Sequence, residues 1–268
     1  MDLRGSVVVV TGASSGFGEL TARRFASEGA NVVLAARRLD RLEEIASELQ
    51  TDDMRAMAVR CDVTDVDDIG SLRDAVRGEF GRCDVLVNNA GVPGGGRLAD
   101  LSVEQIRQVM NVNALGVMLT TRLFLDMMLE HGRGHIVNVA SLAAYFAAPG
   151  TSVYSASKHA VRAFSEALYY ELQPLGILVT SVNPIFAKTE GFPMTNTPKT
   201  LQVKPDTVAR AIVDTVKCGR APEVNVPRGV PLLQTFRILT PPLYRWGVRG
   251  VTRRLRSTPA GGDGRQNV

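Results

Sequence analysis

The strongest constraint on the fold is a regular alternation along the first two-thirds of the chain. Short runs rich in β-branched residues occur at 6–12 (SVVVVTG), 31–37 (NVVLAAR), 57–63 (MAVRCDV), 83–90 (CDVLVNNA), 134–141 (GHIVNVAS) and 177–184 (ILVTSVNP). Between them lie longer stretches with helical periodicity, at 17–29, 39–50, 65–80, 102–130 and 152–174. A strand that is apolar at nearly every position must be covered on both faces, and a helix between successive strands makes them parallel. Right-handed crossovers then wind the two halves outward from the first strand in opposite directions. The pattern predicts an α/β chain with a doubly wound parallel sheet of about seven strands, EVNVP (223–227) being the seventh. One catalytic domain over 1–227 is expected, with a substrate loop at about 185–204, an amphipathic basic extension over 228–256 and a disordered tail over 257–268.

Composition narrows the class. The chain has 268 residues, 45% hydrophobic and 22% charged, enough for a sizeable core. Its net charge of +4 is uneven: from Arg245 onward there are six arginines and one acid, so the body is nearly neutral. A nucleic-acid-binding body would carry a basic face on the fold itself, so nucleic acid is not an expected partner. Three widely spaced cysteines (Cys61, Cys83, Cys218) fit neither a disulfide framework nor a metal pattern and suit a reducing compartment, the cytoplasm. The N-terminal apolar run is too short for a secretory signal. No window holds about 18 consecutive apolar residues, so no spanning helix is expected.

The first strand runs straight into TGASSGFG, which places Gly12, Gly16 and Gly18 at a strand-to-helix turn. Glycines permit a tight turn and close backbone approach, and the following helix aims its N-terminal amides at an anion such as a pyrophosphate. Ser14 and Ser15 add hydroxyl donors, and Phe17 lies in the same loop. Farther along, YSASK puts Tyr154 and Lys158 four residues apart, on one helix face. A free phenol ionises near pH 10, and an ammonium beside it should lower that value toward the range of proton transfer. Ser141, at the end of the fifth run, is placed to polarise a carbonyl.

The ordered set of TGASSGFG, CDVTD (61–65), NNAG (88–91), Asn113 in NVNALG, Ser141 in IVNVAS and YSASK resembles the short-chain dehydrogenase/reductase family over about residues 5–190. The resemblance implies a Rossmann fold, a nicotinamide cofactor and a catalytic set of Asn113, Ser141, Tyr154 and Lys158. It implies that Asp62 and Val63 meet the adenine and that Asn89, Ala90 and Gly91 lie along the ribose. The plainer role of Asp62 is as N-cap of the 65–80 helix. Asn113 is expected to disturb the 102–130 helix and to hold a water linked to Lys158. A dimer or tetramer through helices 102–130 and 152–174 is also implied.

Cofactor choice turns on the end of the second strand. A carboxylate there would accept bonds from the adenosine ribose; this chain has Ala36, then Arg37 and Arg38. Arginine suits a 2′-phosphate, so NADP(H) is expected over NAD(H). After Pro184 the family's usual glycine is replaced by Ile185, with Phe186 next and Thr189 at the place of a nicotinamide contact. Ile185, Phe186, Phe192 and Met194 are expected to line an apolar pocket under a mobile lid, with Ser141 and Tyr154 at its reacting end. A lipophilic carbonyl or alcohol, of steroid, retinoid or fatty-acyl type, would fit. His131 and His135 in HGRGH are taken as loop histidines and no metal is expected; His159 is taken to face away from Lys158. The PLYRWGVRGVTRRLR segment (242–256) suits peripheral contact with an anionic membrane, a subunit contact or a cover for the cleft. The alternative to an enzyme is a cofactor-sensing regulatory protein on the same fold.

Overall fold

The computed structural model describes residues 1–192, 202–227, 229, 235 and 238–243. Seven strands form one sheet: β1 (Val7–Thr11), β2 (Asn31–Ala36), β3 (Ala56–Arg60), β4 (Val85–Asn88), β5 (Gly134–Val139), β6 (Ile177–Pro184) and β7 (Glu223–Val226). All neighbours pair in parallel, in the order β3-β2-β1-β4-β5-β6-β7. The helices are α1 (Gly16–Ser27), α2 (Leu39–Leu49), α3 (Val66–Phe80), α4 (Val103–Met110), α5 (Gly116–His131), α6 (Ser152–Leu172) and α7 (Pro205–Cys218). The predicted doubly wound parallel sheet is the fold of the chain.

The valine run of β1 shows why both faces must be covered. Successive strand residues point to opposite sides. Val8 and Val10 therefore join the cluster packed under α1, α2 and α7, with Phe25, Leu42, Ile45 and Ile212. Val7 and Val9 join the cluster under α3, α5 and α6, with Ile69, Phe124, Met127 and Leu168. Each fully buried Val or Leu contributes about 1.5–3 kcal/mol, so two such layers hold the strand ends in place.

The 102–130 helix is disturbed at Asn113, as expected: residues Asn111–Leu115 form one wider π-helical turn between α4 and α5. Other local expectations are corrected. The N-cap of α3 is Asp65, whose carboxylate accepts from the amides of Asp67 and Asp68; Asp62 plays no part in that cap. The stretch 205–219 reads as a helix started by Asp206, but α7 begins at Pro205 after Lys204, and Asp206 sits inside its first turn, ion-paired with Arg24. His135 is no loop residue. It is the second residue of β5, buried, with Nε2 2.8 Å from the Thr180 hydroxyl, and burial lowers its pKa to about 4.

Taken together, Val103–His131 is long and apolar enough to cross a membrane by length and composition alone. It packs instead as a core helix, with Phe124, Met127 and Met128 fully buried and Asn113 at its π turn. The chain divides into two units, Met1–Arg228 and Gly229–Val268. Among the described residues of the second, Ile238, Leu239 and Leu243 are exposed. The arginine-rich stretch at 245–256 lies outside the described residues.

Candidate active site

The strand order reverses direction between β1 and β4, and the crevice at such a point is where open α/β sheets bind ligands. The loop after β1 and the NNAG segment after β4 meet there. The Thr11 hydroxyl accepts from the amides of Asn89 (3.0 Å) and Ala90 (3.1 Å), and the Asn89 carboxamide donates to the Thr11 and Gly12 carbonyls (2.9 and 3.2 Å). Gly18 is needed for this closeness. A Cβ there would lie 2.2 Å from the Gly12 carbonyl oxygen and 2.6 Å from the Asn89 amide nitrogen. Asn88 stays in the core, bonded to Thr121 and Asn138.

A cavity of about 760 Å³ runs along the strand ends. Gly12, Ser14, Ser15, Gly16 and Phe17 line its floor, with Arg37, Arg38, Asp62 and Val63 at one end. Asn89, Ala90 and Gly91 line its middle, and Ser141, Tyr154, Lys158, Pro184 and Thr189 the other end. Ile185, Phe186 and Phe192 are in its wall, together with Val92, Leu142 and Phe146, which sequence reasoning did not single out. Gly18 and Asn113 stand behind that wall, both buried. Met194 lies outside the described residues.

At the adenosine end, the Asp62 carboxylate accepts from the Thr64 amide and hydroxyl (3.0 and 2.8 Å). Burial pushes that carboxyl up, but the two Thr64 bonds, with Arg37 and Arg60 nearby, outweigh it and hold the carboxyl below its usual range. Arg38 reaches back to the glycine loop, donating to the Ser14 hydroxyl at 3.2–3.3 Å and the Ser14 carbonyl at 3.3 Å.

At the other end, Ser141 leaves β5 and accepts from the Ala143 amide (3.1 Å), starting a short turn over Leu142–Ala144. The Ser141 hydroxyl faces the Tyr154 hydroxyl and favours its ionised form. One turn along α6, the Lys158 ammonium is buried (4% exposed), 5.9 Å from the Tyr154 ring centre, and donates to the Val139 carbonyl at 2.8 Å. Burial lowers the Lys158 pKa to about 8. The expected acidification of the phenol is not met in the chain by itself. Burial raises the Tyr154 pKa above its ordinary value, and the Ser141 hydroxyl only partly offsets this.

The Asn113 Oδ1 accepts from the Val92 amide (2.8 Å), and its Nδ2 donates to the Val92 carbonyl (2.9 Å) and to the Ser157 hydroxyl (3.4 Å). The side chain clamps the segment after β4, and its Oδ1 and the Lys158 ammonium lie 3.4 and 3.8 Å from the place a Gly91 Cβ would take. The Ile185 replacement leaves the loop regular, because its amide continues the sheet by donating to the Val226 carbonyl (2.8 Å). His159 turns away, with Nδ1 2.8 Å from the Ser155 carbonyl. Among the described residues no group of His, Cys, Asp or Glu is arranged to hold a metal ion.

A nicotinamide dinucleotide fits this lining. The glycine cradle leaves no room for a Cβ at Gly18, the N-terminus of α1 opens onto the cavity floor, and a buried ammonium is aimed at its far end. A family model described as short chain dehydrogenase matches residues 6–199. An uncharacterized oxidoreductase of Staphylococcus saprophyticus is 37% identical over 222 residues, covering 79% of this chain and 89% of that protein. Among solved structures, a variant of the actinorhodin polyketide ketoreductase with NADPH is 35% identical with a TM-score of 0.77, covering 84% of this chain and 97% of that one. The 3-ketoacyl-(acyl-carrier-protein) reductase of Brucella melitensis, complexed with NADH, is 32% identical with a TM-score of 0.77 over the same shares. The chain belongs to the short-chain dehydrogenase/reductase family of oxidoreductases.

Proposed function

We propose that this chain is an NADP(H)-dependent oxidoreductase that interconverts a lipophilic carbonyl compound and its alcohol. The reading is carried by one observation: Ser141, Tyr154 and Lys158 share a cavity with the glycine loop and with an apolar wall. The two solved relatives named above, a ketoreductase and a ketoacyl reductase, support a carbonyl substrate.

In this reading the N-terminus of α1 with Ser15 and Gly16 holds the pyrophosphate, Asp62 and Val63 meet the adenine, and Asn89 to Gly91 lie along the ribose. Ser14 and Arg38, with Arg37 beside them, take the 2′-phosphate. Pro184 and Thr189 would flank the nicotinamide, and Lys158 would donate to its ribose hydroxyls. When bound, the nicotinamide supplies or accepts the hydride.

The chain's own residues handle the proton. Burial keeps the Tyr154 hydroxyl protonated at neutral pH, so it is ready to donate to the substrate oxygen. Ser141, which lines the same cavity beside Tyr154, holds that same oxygen and sets donor and acceptor site side by side. Lys158 stays largely charged at neutral pH, and its field favours the phenolate left after transfer. Asn113 is a positioning residue that fixes Val92 in the cavity wall. Oxidation of the alcohol runs the same steps in reverse. A cofactor sensor would need the glycine loop but not this proton-transfer set.

Ile185, Phe186 and Phe192, with Leu142 and Phe146, favour a lipophilic substrate. Exposed Val103, Leu115, Leu129 and Tyr170 on α4, the π turn, α5 and α6 suit a homodimer or homotetramer through these helices. Three free thiols suit the cytoplasm, and exposed Ile238, Leu239 and Leu243 ahead of the arginine-rich segment suit peripheral contact with an anionic membrane. The test is an NADPH-oxidation screen over aldehydes, ketosteroids, 3-oxoacyl compounds and small polar ketones. Turnover concentrated on the bulky apolar carbonyls is expected. Preference for small polar ketones would contradict the apolar pocket, and no turnover on any carbonyl would favour the sensor.

A further inference from the structure

Residues 185–192 leave β6 and cross the glycine loop. The Thr189 Cβ is 3.2 Å from the place a Gly16 Cβ would take. Thr189 and Phe192 pair through an antiparallel bridge, which turns Glu190 and Gly191 outward over the adenosine end. There the Glu190 Oε1 is 2.6 Å from Nη1 of Arg38, while Nε and Nη2 of the same guanidinium hold Ser14. Arg38 is thus divided between Ser14 along one edge and a carboxylate at the remaining nitrogen.

The side chains of Arg38 and Glu190 are 50% and 63% exposed, so their ion pair is of the weak, screened kind that exchanges readily. A phosphate dianion binds the same planar fork more strongly, by two parallel bonds. It cannot do so while a carboxylate holds one of the prongs, and the two anions repel each other at that distance. No carboxylate stands at the end of β2, where Ala36 is found, so Glu190 brings the acid to this spot from a different part of the chain.

We propose that Glu190 is a cofactor-selectivity residue: its carboxylate competes with a 2′-phosphate for Arg38 and so weakens NADP(H) without touching NAD(H). The proposal rests on the NADP(H) reading of the site, and the experiment separates the two. NADPH and NADH affinities are measured by fluorescence titration of the full chain for the native protein, Glu190→Gln, Arg38→Ala and the double variant, at low and high salt. Glu190→Gln is expected to tighten NADPH about two- to fivefold, the range an exposed ion pair covers, and to move NADH less than twofold. The gain should shrink at high salt and vanish in the Arg38→Ala background. If Arg38→Ala weakens NADPH but Glu190→Gln leaves it unchanged, or shifts both cofactors equally, the competition is overturned and the NADP(H) reading stands. If Arg38→Ala changes neither cofactor, both fall. Exposure of Glu190 on a loop keeps the fold out of the comparison.

Discussion

The wall of the cleft made by the glycine loop and β4 differs from the wall made by residues 185–192 in what holds it. The first is fastened from within: the buried Thr11 hydroxyl and the partly buried Asn89 carboxamide bond the backbone of Asn89, Ala90, Thr11 and Gly12 over 2.9–3.2 Å, and Gly18 packs against a carbonyl with no space for a side chain. The second is held by backbone bonds at Ile185, which joins the sheet, and at Phe186, and closes on itself at Thr189 and Phe192, while exposed or ring contacts tie its far part across the cleft. An exposed ion pair ties Glu190 to Arg38, and the Phe192 ring meets the Tyr154 ring edge-on with centres 6.0 Å apart. Buried side-chain-to-backbone anchoring beside the sheet gives a wall of fixed shape, suited to one dinucleotide. A wall tied across the cleft by a solvent-exposed acid and a ring contact is open to tuning by single substitutions, and that is the wall proposed to face the substrate.

This contrast can be broken from the rigid side first. Gly18→Val forces the loop off Gly12, a displacement that costs about 1–3 kcal/mol or more, so cofactor affinity should fall about ten- to a hundredfold in a binding titration. Near-native affinity would mean the loop is not fixed by close approach. On the other wall, Phe192→Ala should leave cofactor affinity within twofold and shift kcat/KM between bulky and small carbonyls about tenfold, the scale of one apolar contact set. An unchanged substrate ranking would remove Phe192 from the pocket.

The buried ammonium joins the two walls and gives a pH signature. Lys158, with its pKa lowered to about 8, is charged below that value and neutral above it. For reduction, kcat/KM for the cofactor, which reports the free enzyme, should hold below about pH 8 and fall tenfold per unit above it. Lys158→Arg should move this limb upward. Stability runs the opposite way. The unfolded lysine keeps its proton up to about 10.4, so between about 8 and that value the unfolded chain binds more protons and folding becomes more favourable with rising pH. The smallest effect belongs to the C-terminal segment: truncation after residue 240 should abolish flotation with anionic liposomes while leaving turnover of soluble substrate within twofold.

Much of the rigid wall was legible in the sequence, because it is written in backbone requirements. The valine alternation sets the sheet, and glycines at 12, 16 and 18 announce close approach. Detail failed where tertiary packing decided. The run at 134–141 marks β5 from Gly134 onward, yet His135 reads as a loop histidine because HGRGH looks like a glycine-broken connection; a Cβ at Gly134 would lie 3.0 Å from the Met128 sulfur. The π turn at Asn111–Leu115 adds a residue to one turn and barely alters helical periodicity, so the break before α5 was visible only as an asparagine in an apolar run. CDVTD holds two acids within four positions, and only the extended backbone of Asp65 makes it the cap. Glu190 left no local signal at all, since its partner Arg38 lies 152 residues earlier.

The central claim is that Tyr154 is the proton donor while the glycine wall holds the cofactor independently of it. Tyr154→Phe removes one hydroxyl and keeps the ring against Phe192. Measured on the best carbonyl from the screen, kcat should fall by about 10²–10⁴, the usual share of a positioned acid, with NADPH affinity within twofold of native. A variant that turns over at the native rate would contradict the account.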